Sequence, residues 1–301
     1  ASRWVFILAA AGSAIGLGNI WKFPYITGDN GGGAFVLVYL ACVLFIGMPV
    51  MVAEVLMGRR ARAAPINAVS KLARESGVSA RWGLLGWMGT LAGFLILSFY
   101  AMIAGWALYY VLLLAQGTFT GADAAGVGAA FDGLLADPYT MLACHSLFMA
   151  MTIFIVAGGV KAGLERAVRW MMPALVLLLL LLLGYAVSTG YFLQGVHFLF
   201  DVDFSALSSK SVIVAMGHAF FTLSLGMGAI MAYGAYMPRQ HSIGQSVLTI
   251  AMLDTAFALL AGLAIFPIVF ANGLEPGAGP GLMFVTLPLA FGSLPLGDLF
   301  G

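Results

Sequence analysis

Two stretches decide the reading of this chain: Gly12-Ser13-Ala14-Ile15-Gly16-Leu17-Gly18-Asn19 near its start, and Phe221-Thr222-Leu223-Ser224-Leu225-Gly226-Met227-Gly228 further on. Each sits inside a long apolar run, where every glycine costs about 1 kcal/mol if the backbone stays helical. They share a tetrad of similar shape, Ile15-Gly16-Leu17-Gly18 and Leu223-Ser224-Leu225-Gly226. One such run alone reads most simply as close helix packing through small residues. Two matched runs predict a discontinuous helix in each half of an inverted repeat, with a ligand at the breaks. Unwound backbone at bilayer depth is tolerated only where it is buried in protein or lines a cavity. Half-helix amino ends would meet a carboxylate, and freed carbonyls would meet a cation.

The surroundings of these runs are those of an integral membrane protein. Of 301 residues, 62% are hydrophobic and 8% charged, against about 25% charged in soluble domains. Mean hydropathy is +1.04. No water-soluble fold of this size could cover so much apolar surface. The 39 glycines exceed what simple anchoring helices need. A net charge of +1 gives no reason to expect nucleic-acid binding, and Cys42 and Cys144, both in apolar stretches, indicate neither a disulfide framework nor a metal site.

Gaps between charges outline the spans. Helices are expected near 4–26, 34–57, 84–115, 139–158, 166–187, 212–236 and 244–270, with an eighth beginning near 294. With the N-terminus inside, the cytoplasmic segments hold Arg3, Arg59, Arg60, Arg62, Lys71, Arg74, Arg81, Lys161, Arg166, Arg169 and Arg239, which is 11 of the 13 basic residues. The outer segments hold Lys22 and Lys210 and most of the acids, a strong positive-inside pattern. The chain is therefore expected to be a multi-pass protein of the cytoplasmic membrane, in contact with the lipid bilayer. Its first helix lacks a small-residue cleavage site and is not a signal peptide. Pro65 to Arg74 reads as a short amphipathic helix on the inner surface. Segment 271–298, Gly/Pro-rich around Leu282-Met283-Phe284-Val285-Thr286-Leu287, reads as a folded outer loop.

The motifs are recognisable. Gly12 to Tyr25, followed by Asn30-Gly31-Gly32-Gly33-Ala34-Phe35, resembles the first-helix signature of the neurotransmitter:sodium symporter family, and Phe220 to Gly226 resembles its sixth helix. The resemblance runs over essentially the whole chain. It implies an all-α integral membrane protein built as an inverted five-helix repeat, with discontinuous helices 1 and 6. Residues 1–187 would form the first repeat (helices 1 to 5). Residues 188–301 would form a partial second repeat, truncated after about seven helices, as in a fragment or a partial gene product.

The same resemblance assigns roles. The backbone of Ala14, Gly16, Leu17 and Gly18 would bind the carboxylate and amine of an amino-acid substrate. Amine-transporting relatives carry an Asp where this chain has Gly16, so Gly16 points to a substrate that brings its own carboxylate. Tyr100 matches the tyrosine whose hydroxyl binds that carboxylate. Without the family it would read as a core aromatic. Ile96, Phe221, Ser224 and Met227 would line a mostly apolar pocket, with Thr222 beside it, suited to a hydrophobic or aromatic amino acid. Met227 replaces the phenylalanine of some relatives and makes the pocket more adaptable.

Two sodium ions are expected. The first would be held by Asn19, Thr222, Asp254 and the Ala14 carbonyl. The second would use the Gly12 and Ile15 carbonyls plus groups of an eighth helix, and is expected to be incomplete within these residues. Asp254 is the one acid near mid-membrane, which makes it a functional candidate. Many relatives have Asn there and use chloride bound by a Tyr, a Gln and a Ser. This chain keeps Tyr39 but has His218 and Ala258 at the other two positions. The expectation is that the Asp254 charge substitutes for chloride, which is then not required. Lys22, Tyr100 and Phe221 are the expected gate residues. Gly163 and Pro173 match a feature of the fifth helix linked to local unwinding. Glu54 is expected to anchor inner-loop hydrogen bonds, and His145, His197 and His241 have no metal-ligand spacing.

Sodium-coupled amino-acid symport is thus the leading expectation. A sodium-dependent binding or sensor homologue that does not transport is the alternative. A membrane enzyme is disfavoured, because no nucleophile–base pair or metal cluster stands out. The oligomeric state is not legible.

Overall fold

Lipid offers no hydrogen bonds, so each spanning segment must satisfy its own backbone, and this chain does so with helices. The computed structural model describes residues 11, 12, 14–159, 163 and 165–293, and no strand occurs among them. The first span bends at Ile15 and Gly16, continues as a π turn over Gly18–Lys22 and becomes α1 (Phe23–Asp29). The second is α2 (Gly33–Cys42), a π turn (Val43–Gly47) and α3 (Met48–Ala61). Then come α4 (Pro65–Glu75), α5 (Leu84–Ala115), α6 (Ala124–Ala136), α7 (Pro138–Ala157), α8 (Glu165–Ser188) and α9 (Phe192–Phe200). The chain continues with α10 (Ser209–Thr222), α11 (Ala229–Tyr236), α12 (Ile243–Ala271) and α13 (Leu282–Ser293).

Among the described residues, five helices are long and apolar enough to cross a membrane: Gly33–Ala61, Ala80–Ala115, Pro138–Ala157, Arg166–Ser188 and Ile243–Ala271. The sixth expected span does not qualify because it is broken between Thr222 and Ala229, and only part of the first falls within the described residues. The amphipathic helix expected at 65–74 is α4. Residues 4–10 of the first span, the eighth helix near 294 and most of the unwinding region around Gly163 lie outside the described residues.

The structure adds helices that charge gaps alone do not disclose. α6 and α9 fall outside every expected span, and the outer loop 271–298 contains α13. All are too short to span. Asp123 starts α6 by accepting the Gly126 N–H at 2.8 Å, a standard N-cap. Val127, Phe131 and Leu134 then bury one face.

The described residues fall into two compact units interleaved along the chain. The first takes residues from 1–19, 35–97 and 208–258. In it α3 and α11 touch through glycine. A methyl group on Gly58 would strike the Met231 carbonyl, and one on Gly234 would lie 2.7 Å from the Val55 carbonyl. This is small-residue packing of the kind that drives helix association in lipid. α4 folds back through Ala68 and Val69, which cluster with Ala61 and Met231.

The second unit takes residues from 20–34, 98–207 and 259–301. Its aromatic core stacks Tyr110 on Phe119 (centroids 5.4 Å) and Phe131 on Phe284 (5.3 Å), with Trp106 edge-on to both members of the latter pair. Trp21 Nε1 donates to the Pro280 carbonyl at 2.8 Å, tying the first span to the outer segment. The turn Asn30-Gly31-Gly32-Gly33 needs its glycines: φ is +99° at Gly31 and +60° at Gly32, and Ala206 and Phe198 crowd the positions where side chains would stand.

Candidate functional site

The sixth span stops being a helix at Thr222. Leu223 to Gly228 is unwound, with φ of +55° at Ser224, +77° at Gly226 and +79° at Gly228. A left-handed serine costs on the order of 1 kcal/mol, so other contacts must hold it. One such contact comes from α3. Glu54, only 6% exposed, accepts the Gly226 N–H on Oε1 at 2.7 Å. Glu54 therefore anchors the unwound stretch of the sixth span rather than an inner loop. α11 resumes the helix at Ala229. The turn after α10 bonds the Ala219, Phe220 and Phe221 carbonyls through the Leu223, Leu225 and Ser224 N–H groups, but the helix dipoles still set the negative end of α10, which favours a cation, and the positive end of α11, which favours an anion, at the break.

The first span breaks in the same unit. Ile15 N–H still bonds the Ala11 carbonyl at 2.7 Å, but the Gly16 N–H instead donates to Asn19 Oδ1 at 3.1 Å. The Asn19 side chain thus replaces part of the lost helix ladder. Its Nδ2 reaches the seventh span, donating to Asp254 Oδ1 at 2.8 Å and to the Asp254 carbonyl at 2.9 Å. It also lies 3.3 Å from Thr222 Oγ1. Thr222 in turn donates to the Asp254 carboxylate, with its oxygens at 2.9 and 3.0 Å. Asn19 and Asp254 are 0% exposed and Thr222 is 1% exposed.

This is a cluster of hard oxygens drawn from three spans: one amide, one hydroxyl and one carboxylate. Hard oxygens suit alkali and alkaline-earth ions, and calcium sites add several carboxylates. One negative charge among neutral oxygens balances a single monovalent cation. Among the described residues no ammonium or guanidinium is bonded to Asp254, whose carboxylate instead accepts from the Asn19 amide and the Thr222 hydroxyl.

The other candidates divide between the units. Ala14, Ile15 and Gly18 are buried at the first break, and Gly12, Gly16 and Leu17 are half-buried. A methyl on Gly18 would lie 3.3 Å from the Phe221 ring and 3.8 Å from Thr222 Oγ1, so Gly18, Phe221 and Thr222 are brought together. Ser224 is buried and Met227 half-buried in the unwound stretch. The third span meets that stretch through glycines. Gly89 faces the Gly226 carbonyl, and a methyl on Gly93 would lie 3.6 Å from Met227 Cβ. Ile96 is on the same helical face, three residues beyond Gly93. Tyr100 and Lys22 belong to the second unit, both half-buried. Tyr39 and His218 pack ring to ring at 5.2 Å, and Ala258 is fully buried.

Gly89, Gly93 and the target of Glu54 escape a sequence reading. Their signals were a pair of glycines four apart in an uncharged helix and a lone carboxylate in an apolar span.

The family profile described as "Sodium:neurotransmitter symporter family" matches residues 1–122 and 129–301. The chain is 44% identical over its whole length to the uncharacterized sodium-dependent transporter YhdH of Bacillus subtilis, covering 66% of that protein. It is 33% identical to an uncharacterized sodium-dependent transporter of Haemophilus influenzae, with 99% of this chain aligned to 67% of that one. Among solved structures, MhsT in complex with L-phenylalanine matches with a TM-score of 0.93 and 48% identity, over 100% of this chain and 67% of that one. With its two breaks, its oxygen cluster and these matches, the chain belongs to the sodium:neurotransmitter symporter family. It spans about two thirds of the length of the curated relatives named here.

The Glu54 contact yields a first prediction. In the full-length parent, Glu54→Gln replaces a charged acceptor by a neutral one. Hydrogen bonds to charged groups are worth about 1.5–3 kcal/mol against about 1 for neutral ones. Amino-acid affinity, read by equilibrium binding in saturating sodium, is expected to fall roughly tenfold as the unwound stretch loosens. Wild-type affinity in this variant would show that Glu54 does not hold the break.

Proposed function

We propose that the parent of this chain is a sodium-coupled symporter of an apolar or aromatic amino acid, working without chloride and with its N-terminus in the cytoplasm. The carrying observation is the Asn19–Thr222–Asp254 cluster, which joins both broken spans to the seventh in a buried, singly charged site.

The chemistry follows from the residues. Sodium accepts the Asp254 carboxylate, the Thr222 and Asn19 oxygens and the Ala14 carbonyl as ligands. The Thr222 hydroxyl, which donates to the carboxylate, still has lone pairs to turn towards the ion. Ligating sodium fixes residues 14–19 and 222–228. These same segments offer backbone N–H and C=O groups to the substrate amine and carboxylate, together with the Tyr100 hydroxyl. Ordering them once lowers the cost of the second binding event, which is the physical content of coupling between ion and substrate. Gly16 leaves room for the substrate's own carboxylate. Ile96, Phe221, Ser224 and Met227 give the side-chain pocket its apolar character, in keeping with the phenylalanine bound by MhsT. The Gly12 and Ile15 carbonyls contribute to a second sodium site, and Lys22, Tyr100 and Phe221 gate the outer side. One helix bundle then rocks against a scaffold about this centre.

The test is binding of labelled phenylalanine, leucine, tyrosine and tryptophan to the full-length parent in sodium or potassium, with chloride absent. Saturable binding that appears only in sodium, followed by sodium-driven uptake into proteoliposomes, is the expected result. Sodium-dependent binding without uptake would make the protein a sensor. Absence of sodium-dependent binding to all four would sink the substrate class.

A further inference from the structure

A groove of about 480 Å³ lies in the first unit, away from the oxygen cluster, where the inner end of α3, the amphipathic α4 and the start of α5 meet. Leu56 and Met57 form one wall, Val69 and Leu72 a second, and Trp82 and Leu85 the third. Arg60 and Ser76 are its only polar lining residues. Leu56, Trp82 and Leu85 are 49%, 56% and 53% exposed, so the walls are open.

Charge and position say what fits there. Residues 55–82 carry Arg59, Arg60, Arg62, Lys71, Arg74 and Arg81 against one acid, Glu75. Several of these cations are engaged with backbone: Arg59 with the His241 carbonyl, Arg62 with Ala235, Lys71 with Ala61 and Arg74 with Ser70. Arg60, on the groove, has a looser partner. Its Nε stands 3.5 Å from Glu75 Oε2, and the two side chains are 62% and 40% exposed. Such exposed pairs contribute about 0–1 kcal/mol and are easily exchanged. A phosphate offers the guanidinium bidentate geometry. Basic juxtamembrane clusters attract the anionic inner leaflet, and tryptophan favours the headgroup level.

We propose that this groove is a binding site for one anionic phospholipid of the inner leaflet, with an acyl chain against Leu56, Val69 and Trp82 and the phosphate on Arg60. The proposal rests on the inside placement of this loop and is independent of the sodium site. It makes α4 a lipid-stabilised wedge, since Val69, which lines the groove, also packs with Ala68 on Ala61 and Met231 of the α3–α11 pair.

Native mass spectrometry of the full-length parent, titrated with phosphatidylglycerol or phosphatidylcholine, tests it. The wild type is expected to retain one phosphatidylglycerol with at least a fivefold preference. Arg60→Gln should abolish that preference, while Arg74→Gln, off the groove, should keep it. Size-exclusion profiles confirm that the variants remain folded. Equal retention of both lipids, or an undiminished preference in Arg60→Gln, overturns the proposal. Either is the result expected if another part of the protein or a second copy fills the groove.

Discussion

Replacing Asp254 by asparagine is expected to weaken sodium-dependent binding by about 100-fold in chloride-free buffer, or ~2.7 kcal/mol at 1.36 kcal/mol per factor of ten. The substitution is close to isosteric. Asparagine can still offer one oxygen to Asn19 Nδ2, and the Thr222 hydroxyl, which now donates to the carboxylate, can accept from the new amide instead. The fold should therefore survive, and what disappears is the charge. With Asp254 fully buried, an entering sodium ion would then be an uncompensated cation, whose burial costs several kcal/mol. Chloride bears on the same site. If the carboxylate stands in for an anion, Asp254→Asn combined with Ala258→Ser should recover part of the binding when chloride is added. Wild-type binding by Asp254→Asn in chloride-free buffer would show that the charge is not what holds the ion.

Why some of this was legible and some was not follows from the range of the interactions. The break in the sixth span could be read because a φ of +77° or +79° is a local demand that glycine meets, written into Gly226 and Gly228 themselves. Asp254 could be read because a lone acid in an apolar span is anomalous on its own. The partnership of Asn19, Thr222 and Asp254 has no local signature. The residues are 203 and 235 positions apart from Asn19, and no periodicity links them. From sequence, only the family resemblance groups these three residues. The short helices α6, α9 and α13 stayed hidden for a different reason. Charge gaps measure bilayer thickness, and these helices answer to local burial and capping instead. The recess formed by Gly89 and Gly93 was equally silent, since a glycine reports closeness without naming its neighbour.

That silence is sharpest at the α3–α11 contact, where the second large effect is expected. Gly58→Val should reduce folded, monodisperse parent protein in detergent to about a tenth of wild type or less, a loss of more than 1.4 kcal/mol. Overpacking a close-packed site typically costs about 1–3 kcal/mol when side chains can yield. Here the obstacle is backbone. The new Cβ would fall on the Met231 carbonyl, with the Met231 carbon at 2.9 Å and the Ala235 nitrogen at 3.0 Å. α11 must then move away from α3. It is only eight residues long and connects directly to the unwound stretch, so the displacement passes to Gly226 and strains its bond to Glu54. The same variant should therefore lose amino-acid affinity in whatever fraction still folds. Gly133→Ala on α6 is the control: its added methyl meets nothing within 4 Å. An exposed helical Gly→Ala should be neutral or stabilise by up to ~1 kcal/mol. Equal yield and melting temperature for Gly58→Val and wild type would show that the helices need not approach this closely, and with it that the break is not positioned from α3.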